Sequence, residues 1–349
     1  MILEERSLPI VLAPMAGGPS TPQLAAAVSN AGGLGFLAGG YLPTATLAER
    51  VRVTRELTGE AFGVNLFVPG PESPAEPVAQ YAAAIRDDVA AAGAELGTPR
   101  YHDDDWAEKV ALLAADPVPV VSFTFGLPPE DVVDRLHAAG SEVWITSTTA
   151  AEARAAAGRG ADVLLLQGAE AGGHRGGLHD DPASEIGVLA LLQLVAAELP
   201  VPLVAAGGIA TGAAVAALLC AGASAAALGT AFLDCPEAGT SAVHRAALHR
   251  EGTTALTRAF SGRTARGIRN AFLDRHSGEA PAGYPEIHYL TSPMRKAARE
   301  RGNADAVNLW AGQAYPLTRS IPAAELVHSL ADDMRTALER ARARVDGAV

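Results

Sequence analysis

Short, largely apolar runs recur along the chain at 10–13, 34–37, 62–66, 119–122, 142–146, 162–166, 202–206 and 225–229. Runs of four or five residues with little polar alternation suit strands buried on both faces. Between most of them lie alanine-rich segments with apolar positions at helical spacing, at 22–31, 45–57, 130–139, 150–157, 188–199 and 212–220. Eight strands alternating with helices predict an α/β fold with a parallel sheet, and the count of eight is that of a (β/α)₈, or TIM, barrel.

Two intervals exceed one compact β/α unit. The stretch from 67 to 118 opens on Pro69-Gly70-Pro71-Glu72-Ser73-Pro74 and continues as a helical pattern over 78–95. The stretch from 167 to 201 begins with a glycine-crowded loop. Both leave the carboxyl ends of strands, where barrels carry their active sites. After Asp234 the beat stops. Residues 236–320 mix helical pieces at 241–251 and 293–301 with Gly, Pro and aromatic residues, and an amphipathic helix follows at 323–344. The expected organisation is a barrel over 1–235, a smaller, mostly helical capping domain over 236–320, and a C-terminal segment, 321–349, whose helix returns to the barrel.

Charge narrows the partners. At −12 net and a pI near 5.2, the chain would be repelled by nucleic acid or an anionic membrane surface, so a small molecule is the expected partner. Residues 199–233 carry no charge, yet Pro200, Pro202 and Gly207-Gly208 divide them into pieces too short to span a bilayer. Two cysteines, Cys220 and Cys235, give neither a disulfide framework nor a zinc-ligand spacing, so no metal is expected. The opening Met1-Ile2-Leu3-Glu4-Glu5-Arg6 lacks the basic and apolar regions of a secretion signal, and a reducing cytoplasm fits.

Candidate chemistry lies in the loops. Ala206-Gly207-Gly208-Ile209 follows the seventh strand, and Ala227-Leu228-Gly229-Thr230-Ala231 the eighth. Barrels grip phosphates with these loops, because glycine amides at a helix start converge on an anion and a threonine adds a hydroxyl. Tight turning is the plainer use of the same glycines. Gln167-Gly168-Ala169-Glu170-Ala171-Gly172-Gly173-His174-Arg175-Gly176 leaves the sixth strand. Glycines there let backbone approach a flat or anionic ligand, and His174 can move a proton near neutral pH. Asn65, an amide in an apolar strand end, needs a partner, either on a ligand or on a neighbouring strand. Met15, in Ala13-Pro14-Met15-Ala16-Gly17-Gly18, is either apolar lining or a neighbour of a ligand.

The 167–176 loop resembles the signature loop of the FMN-dependent nitronate monooxygenases, formerly 2-nitropropane dioxygenases. The resemblance extends to Ala13–Gly18, to Gly208 and Ala227-Leu228-Gly229-Thr230 as a phosphate site, and to 260–267, 289–295 and Leu309-Trp310-Ala311-Gly312-Gln313-Ala314. It implies FMN held by Met15, Asn65, Gln167, Gly172, Gly173, Gly208, Ala227, Leu228, Gly229, Thr230 and Gln313, with catalytic His174 over the reactive face of the ring. It also implies oxidation of an alkyl nitronate such as propionate 3-nitronate by O₂ to a carbonyl product and nitrogen oxides, in a detoxifying role. His174 would act as a base on a neutral nitroalkane or as a cation holding a nitronate. Enoyl-acyl carrier protein reductases and quinone reductases carry related loops, so an NADH-dependent flavin reductase is the alternative. A barrel isomerase or lyase using the phosphate site for substrate is a third reading. Whether the chain forms a homo-oligomer is left open.

Overall fold

A computed structural model describes residues 1–181 and 185–347. Eight parallel strands form the barrel: β1 (Ile10–Leu12), β2 (Gly35–Ala38), β3 (Phe62–Phe67), β4 (Val120–Thr124), β5 (Glu142–Ser147), β6 (Val163–Gln167), and, after a two-residue strand β7 (Gly173–His174), β8 (Leu203–Ala206) and β9 (Ala225–Leu228). The sheet runs in the order β1-β9-β8-β6-β5-β4-β3-β2. It closes because Leu12 N donates to Leu34 O, and Leu34 N to Ile10 O, each at 2.9 Å. All eight lie where the apolar runs predict them.

The strands are apolar without alternation because both faces are buried. Val11, Phe36, Val120, Trp144, Val163, Val204 and Ala225 fill the lumen. Their neighbours Ile10, Leu37, Val121, Ile145, Leu164, Ala205 and Ala226 pack outward on the helices. Gly63 makes lumen space: a Cβ there would lie 2.3 Å from the Phe36 ring, which itself sits 5.5 Å from Trp144. The helix Ala323–Val345 packs against the helices Gly212–Cys220 and Pro22–Asn30, completing the outer ring. Of the expected C-terminal segment, residues 348–349 lie outside the described residues.

A second apolar core gathers Val243, Phe260, Phe272, Leu290 and Met294 with Val78, Tyr81, Ile85 and Val89 from the stretch after β3. That stretch forms the helices Ala75–Ala84 and Arg86–Ala91, while the barrel's own helix before β4 is Trp106–Ala115. The pattern over 236–320 did not predict a sheet. Strands β10 (Thr254–Thr257) and β11 (Ala265–Ile268) pair antiparallel there, and β11 takes β7 as its other neighbour. The helix expected at 293–301 is Glu286–Glu300, with Pro293 inside it. Proline removes one internal bond, and beside that turn Leu290 O accepts from Gly97 N at 2.8 Å. Among the described residues no helix is long and apolar enough to cross a membrane.

Candidate active site

A cavity of about 690 Å³ lies at the carboxyl ends of the barrel strands. Ala13, Asn65, Thr124, Thr146, Gln167, Ala206 and Ala227 form its barrel side, and Ser261, His288, Arg295 and Trp310 face them from the later chain. Among the described residues no Asp or Glu lines it, although the chain carries a net charge of −12; Arg295 and Arg299 do.

His174 is placed by β7, whose register sets it opposite Ala265. The glycine-rich loop is therefore not free coil. Gln167 Nε2 donates to His174 O at 3.0 Å, and its Oε1 accepts from Gly176 N at 2.9 Å. Arg263 donates to Arg175 O at 3.1 Å and Gly177 O at 2.6 Å, and Arg266 to Ala169 O at 2.8 Å. These two arginines pin the loop to β11 and its approach.

The imidazole of His174 is ringed edge-on by Phe125, Tyr284 and Trp310, with centroids 5.7, 6.0 and 5.5 Å away. Its Nε2 lies 2.8 Å from Ser261 Oγ, which itself donates to Arg263 O at 3.2 Å. The ring's tautomer decides whether Nε2 donates to the Ser261 hydroxyl or accepts from it. Burial, then the positive charges of Arg263 and Arg295, push its pKa down to about 3. The ring is neutral at physiological pH.

Met15, Asn65, Gln167, Gly172, Gly173, His174, Gly208, Ala227, Gly229 and Thr230 all line the cavity. Leu228 and Gln313 do not. Strand alternation turns Leu228 outward into the helix-packed core. Gln313 is solvent-exposed, and its N–H donates to Glu170 O at 3.0 Å. Gln167 lines the wall, but both ends of its amide are engaged within the loop. Asn65 Nδ2 bonds Ser122 O and Oγ at 3.2 and 3.0 Å, the neighbouring-strand partner, leaving its oxygen as the free acceptor.

Gly172 has a packing role. A Cβ there would lie 2.4 Å from Gly312 N and 2.5 Å from Ala311 C. Gly172→Ala therefore forces apart two backbones that flank the His174 loop. We expect a loss of about 1–3 kcal/mol in denaturant melts, as for other overpacked sites.

The glycine turns lie together. Gly207 and Gly208 have φ of +124° and +67° and precede the helix Gly212–Cys220, while Gly229 precedes the short 3₁₀ turn Thr230–Phe232 on the adjacent strand. Gly312 N donates to Thr230 Oγ1 at 3.0 Å, so the threonine proton is free for a ligand. Three residues of the wall, Thr124, Thr240 and His244, bury a polar atom, Oγ1, Oγ1 and Nε2, without a hydrogen-bond partner among the described residues. Each such group costs about 1–3 kcal/mol, which a polar ligand reaching them removes.

Sequence reasoning missed Tyr41, Phe125 and His288, and it reached Ser261 and Arg295 only as members of the resembling segments 260–267 and 289–295, with no role for either side chain. Tyr41 and Phe125 hold left-handed backbones, φ of 65° and 76°, which bulky residues avoid outside constrained sites. The Tyr41 ring stacks on His288 at 4.1 Å and 4°.

The family model for nitronate monooxygenase matches residues 3–333. The chain belongs to the nitronate monooxygenase family. It is 42% identical to a nitronate monooxygenase of Pseudomonas aeruginosa, over 94% of this chain and 96% of that one. It is 39% identical to a probable nitronate monooxygenase of Bacillus subtilis, over 93% and 95%. Among solved structures, the nitroalkane oxidase of Streptomyces ansochromogenes superposes with a TM-score of 0.95 and 48% identity, covering 97% of this chain and 99% of that one. FabK of Thermotoga maritima superposes at 0.78 with 25% identity, over 98% and 97%. As a nitronate monooxygenase family member the chain is an oxidoreductase.

Proposed function

We propose that the protein binds FMN and uses O₂ to oxidise alkyl nitronates of the propionate 3-nitronate type, in the cytoplasm. The observation that carries this reading is a cavity with no carboxylate among the described residues, with a neutral histidine and buried arginine on one wall and paired glycine turns on another. The turns at Gly208 and Gly229-Thr230 fit a phosphate; Met15, Asn65 and the partnerless wall atoms fit the edge and face of a flavin. Bound flavin supplies the redox chemistry with O₂.

The chain's own residues bind and orient the anion. A histidine with a pKa near 3 is too weak a base to deprotonate a nitroalkane readily, and it is not a cation, so the already ionised nitronate is the fitting substrate. The Ser261 hydroxyl can accept from Nε2 or, by turning, donate to it. The ring can thus offer an Nδ1 proton or a lone pair without gaining charge. Arg295 supplies the positive field.

Two measurements test this. The purified protein should be yellow, and anaerobic addition of propionate 3-nitronate should bleach the flavin; bleaching by NADH instead would make it a reductase, and a colourless protein that FMN cannot reconstitute would reject both. For nitronate substrates, kcat/KM should stay flat from pH 6 to 9. A decline as pH rises through about 6.5, where free histidine titrates, would instead mean that imidazolium holds the substrate.

A further inference from the structure

Two buried polar side chains near the glycine turns have nothing in the protein to bond. Thr240 and His244, four positions apart where the helix Ala242–Leu248 begins, are each 8% exposed. Oγ1 of the first and Nε2 of the second have no hydrogen-bond partner among the described residues, and both residues line the cavity.

The tautomer at His244 is fixed by its surroundings. Burial pushes the pKa down to about 4, so the ring is neutral; a backbone hydrogen bond with Trp310 opposes that fall, and therefore runs to the carbonyl. The ring's one proton lies on Nδ1, toward that carbonyl, and Nε2 presents a lone pair. Such an atom takes only a donor. A nitronate has no N–H or O–H, and neither has O₂, so the substrates proposed above cannot supply one.

The pair lies between the parts of the wall that fit the two ends of a flavin. Gly312 N, which bonds the Thr230 hydroxyl at the phosphate turn, is two residues from Trp310, a reach of about 7 Å. Thr240 follows Gly239, whose N–H donates to Pro19 O at 3.1 Å, in the turn after β1 that carries Met15. A chain of hydroxyls joining a phosphate at Thr230 to a ring at Met15 has its donors on this stretch of wall.

We propose that Thr240 and His244 form a polyol subsite, which takes the hydroxyls of the chain joining the phosphate of FMN to its ring. The flavin reading above is assumed here; the subsite makes the protein select its cofactor by the hydroxyl chain as well as by the phosphate.

Three flavins separate these contributions: lumiflavin is the ring alone, riboflavin adds the hydroxyl chain, and FMN adds the phosphate. Fluorescence titration into the flavin-free full-length protein should give riboflavin at least about 10-fold tighter binding than lumiflavin, as two neutral hydrogen bonds imply. Thr240→Val and His244→Leu should each cut that ratio to about 3-fold or less and leave the FMN-to-riboflavin ratio unchanged, while Thr230→Val should do the reverse. Should His244→Leu fail to fold, the near-isosteric Thr240→Val decides. Equal binding of riboflavin and lumiflavin by wild type overturns the proposal. So does an unchanged ratio in the folded variants; if all three flavins weaken in parallel there, the donor is the N–H of the ring. A wild type that binds no flavin rejects the FMN reading and the subsite with it, whereas tight FMN binding with unchanged ratios rejects the subsite alone.

Discussion

His174→Ala is expected to purify with its flavin and to oxidise propionate 3-nitronate about 10² to 10³ times more slowly than the wild type, the usual cost of losing one hydrogen-bond group positioned at developing charge. The flavin should survive because the loop's anchors do not use the imidazole: Gln167 and Arg263 hold the backbone on either side of position 174. Activity should fall because alanine removes the switchable hydrogen bond shared with Ser261 and opens the ring of Phe125, Tyr284 and Trp310 to water. Stopped-flow reduction under nitrogen, read beside the flavin-to-protein absorbance ratio, checks both halves. Wild-type reduction rates would remove His174 from the mechanism, and a flavin-free variant would make its role structural.

How much of this was legible in the sequence depends on where each signal is stored. The barrel was, because strands buried on both faces produce dense apolar runs that helices cannot mimic at that length. The glycine turns were, since the positive φ at Gly208 and the 3₁₀ start after Gly229 leave a local mark. Leu228 was placed in the site because it stands inside the motif, but alternation along β9 decides the direction of each side chain, and Leu228 points out where Ala227 points in. Gln167 lines the wall as the resemblance implies, but the loop bonds of its amide, to His174 O and from Gly176 N, are set by how the loop folds back and leave no mark in the sequence. The partners of the histidine were invisible for the same reason. Ser261 lies 87 positions downstream and is brought near by the pairing of β7 with β11, two residues long on one side. Nothing local marks Arg295 as facing a cavity. The absence of any acid near it is a property of the assembled wall.

Tyr41 shows how far from the cavity its shape is determined. Lys109 is 1% exposed; its Nζ lies 2.8 Å from Asp104 Oδ2 and 3.0 Å from Gly39 O. Asp104 Oδ1 in turn accepts from Tyr41 N at 2.8 Å, holding the residue in its left-handed conformation. Burial raises the Asp104 pKa and Lys109 opposes the rise, so the pair is poised and each charge depends on the other. Lys109→Met should therefore cost about 3–5 kcal/mol, the usual result of removing one partner from a buried pair. For a chain of this length that is a fall of roughly 4–7 °C in Tm. The second change should be in KM, raised several-fold for the nitronate, since Tyr41 and His288 form one stacked wall against Arg295. Lys109→Met combined with Asp104→Asn removes both charges together and should recover most of the lost Tm. Because asparagine can still accept from Tyr41 N, KM should recover with it. If Tm returns and KM does not, the carboxylate charge, and not the acceptor it presents, sets the Tyr41 ring.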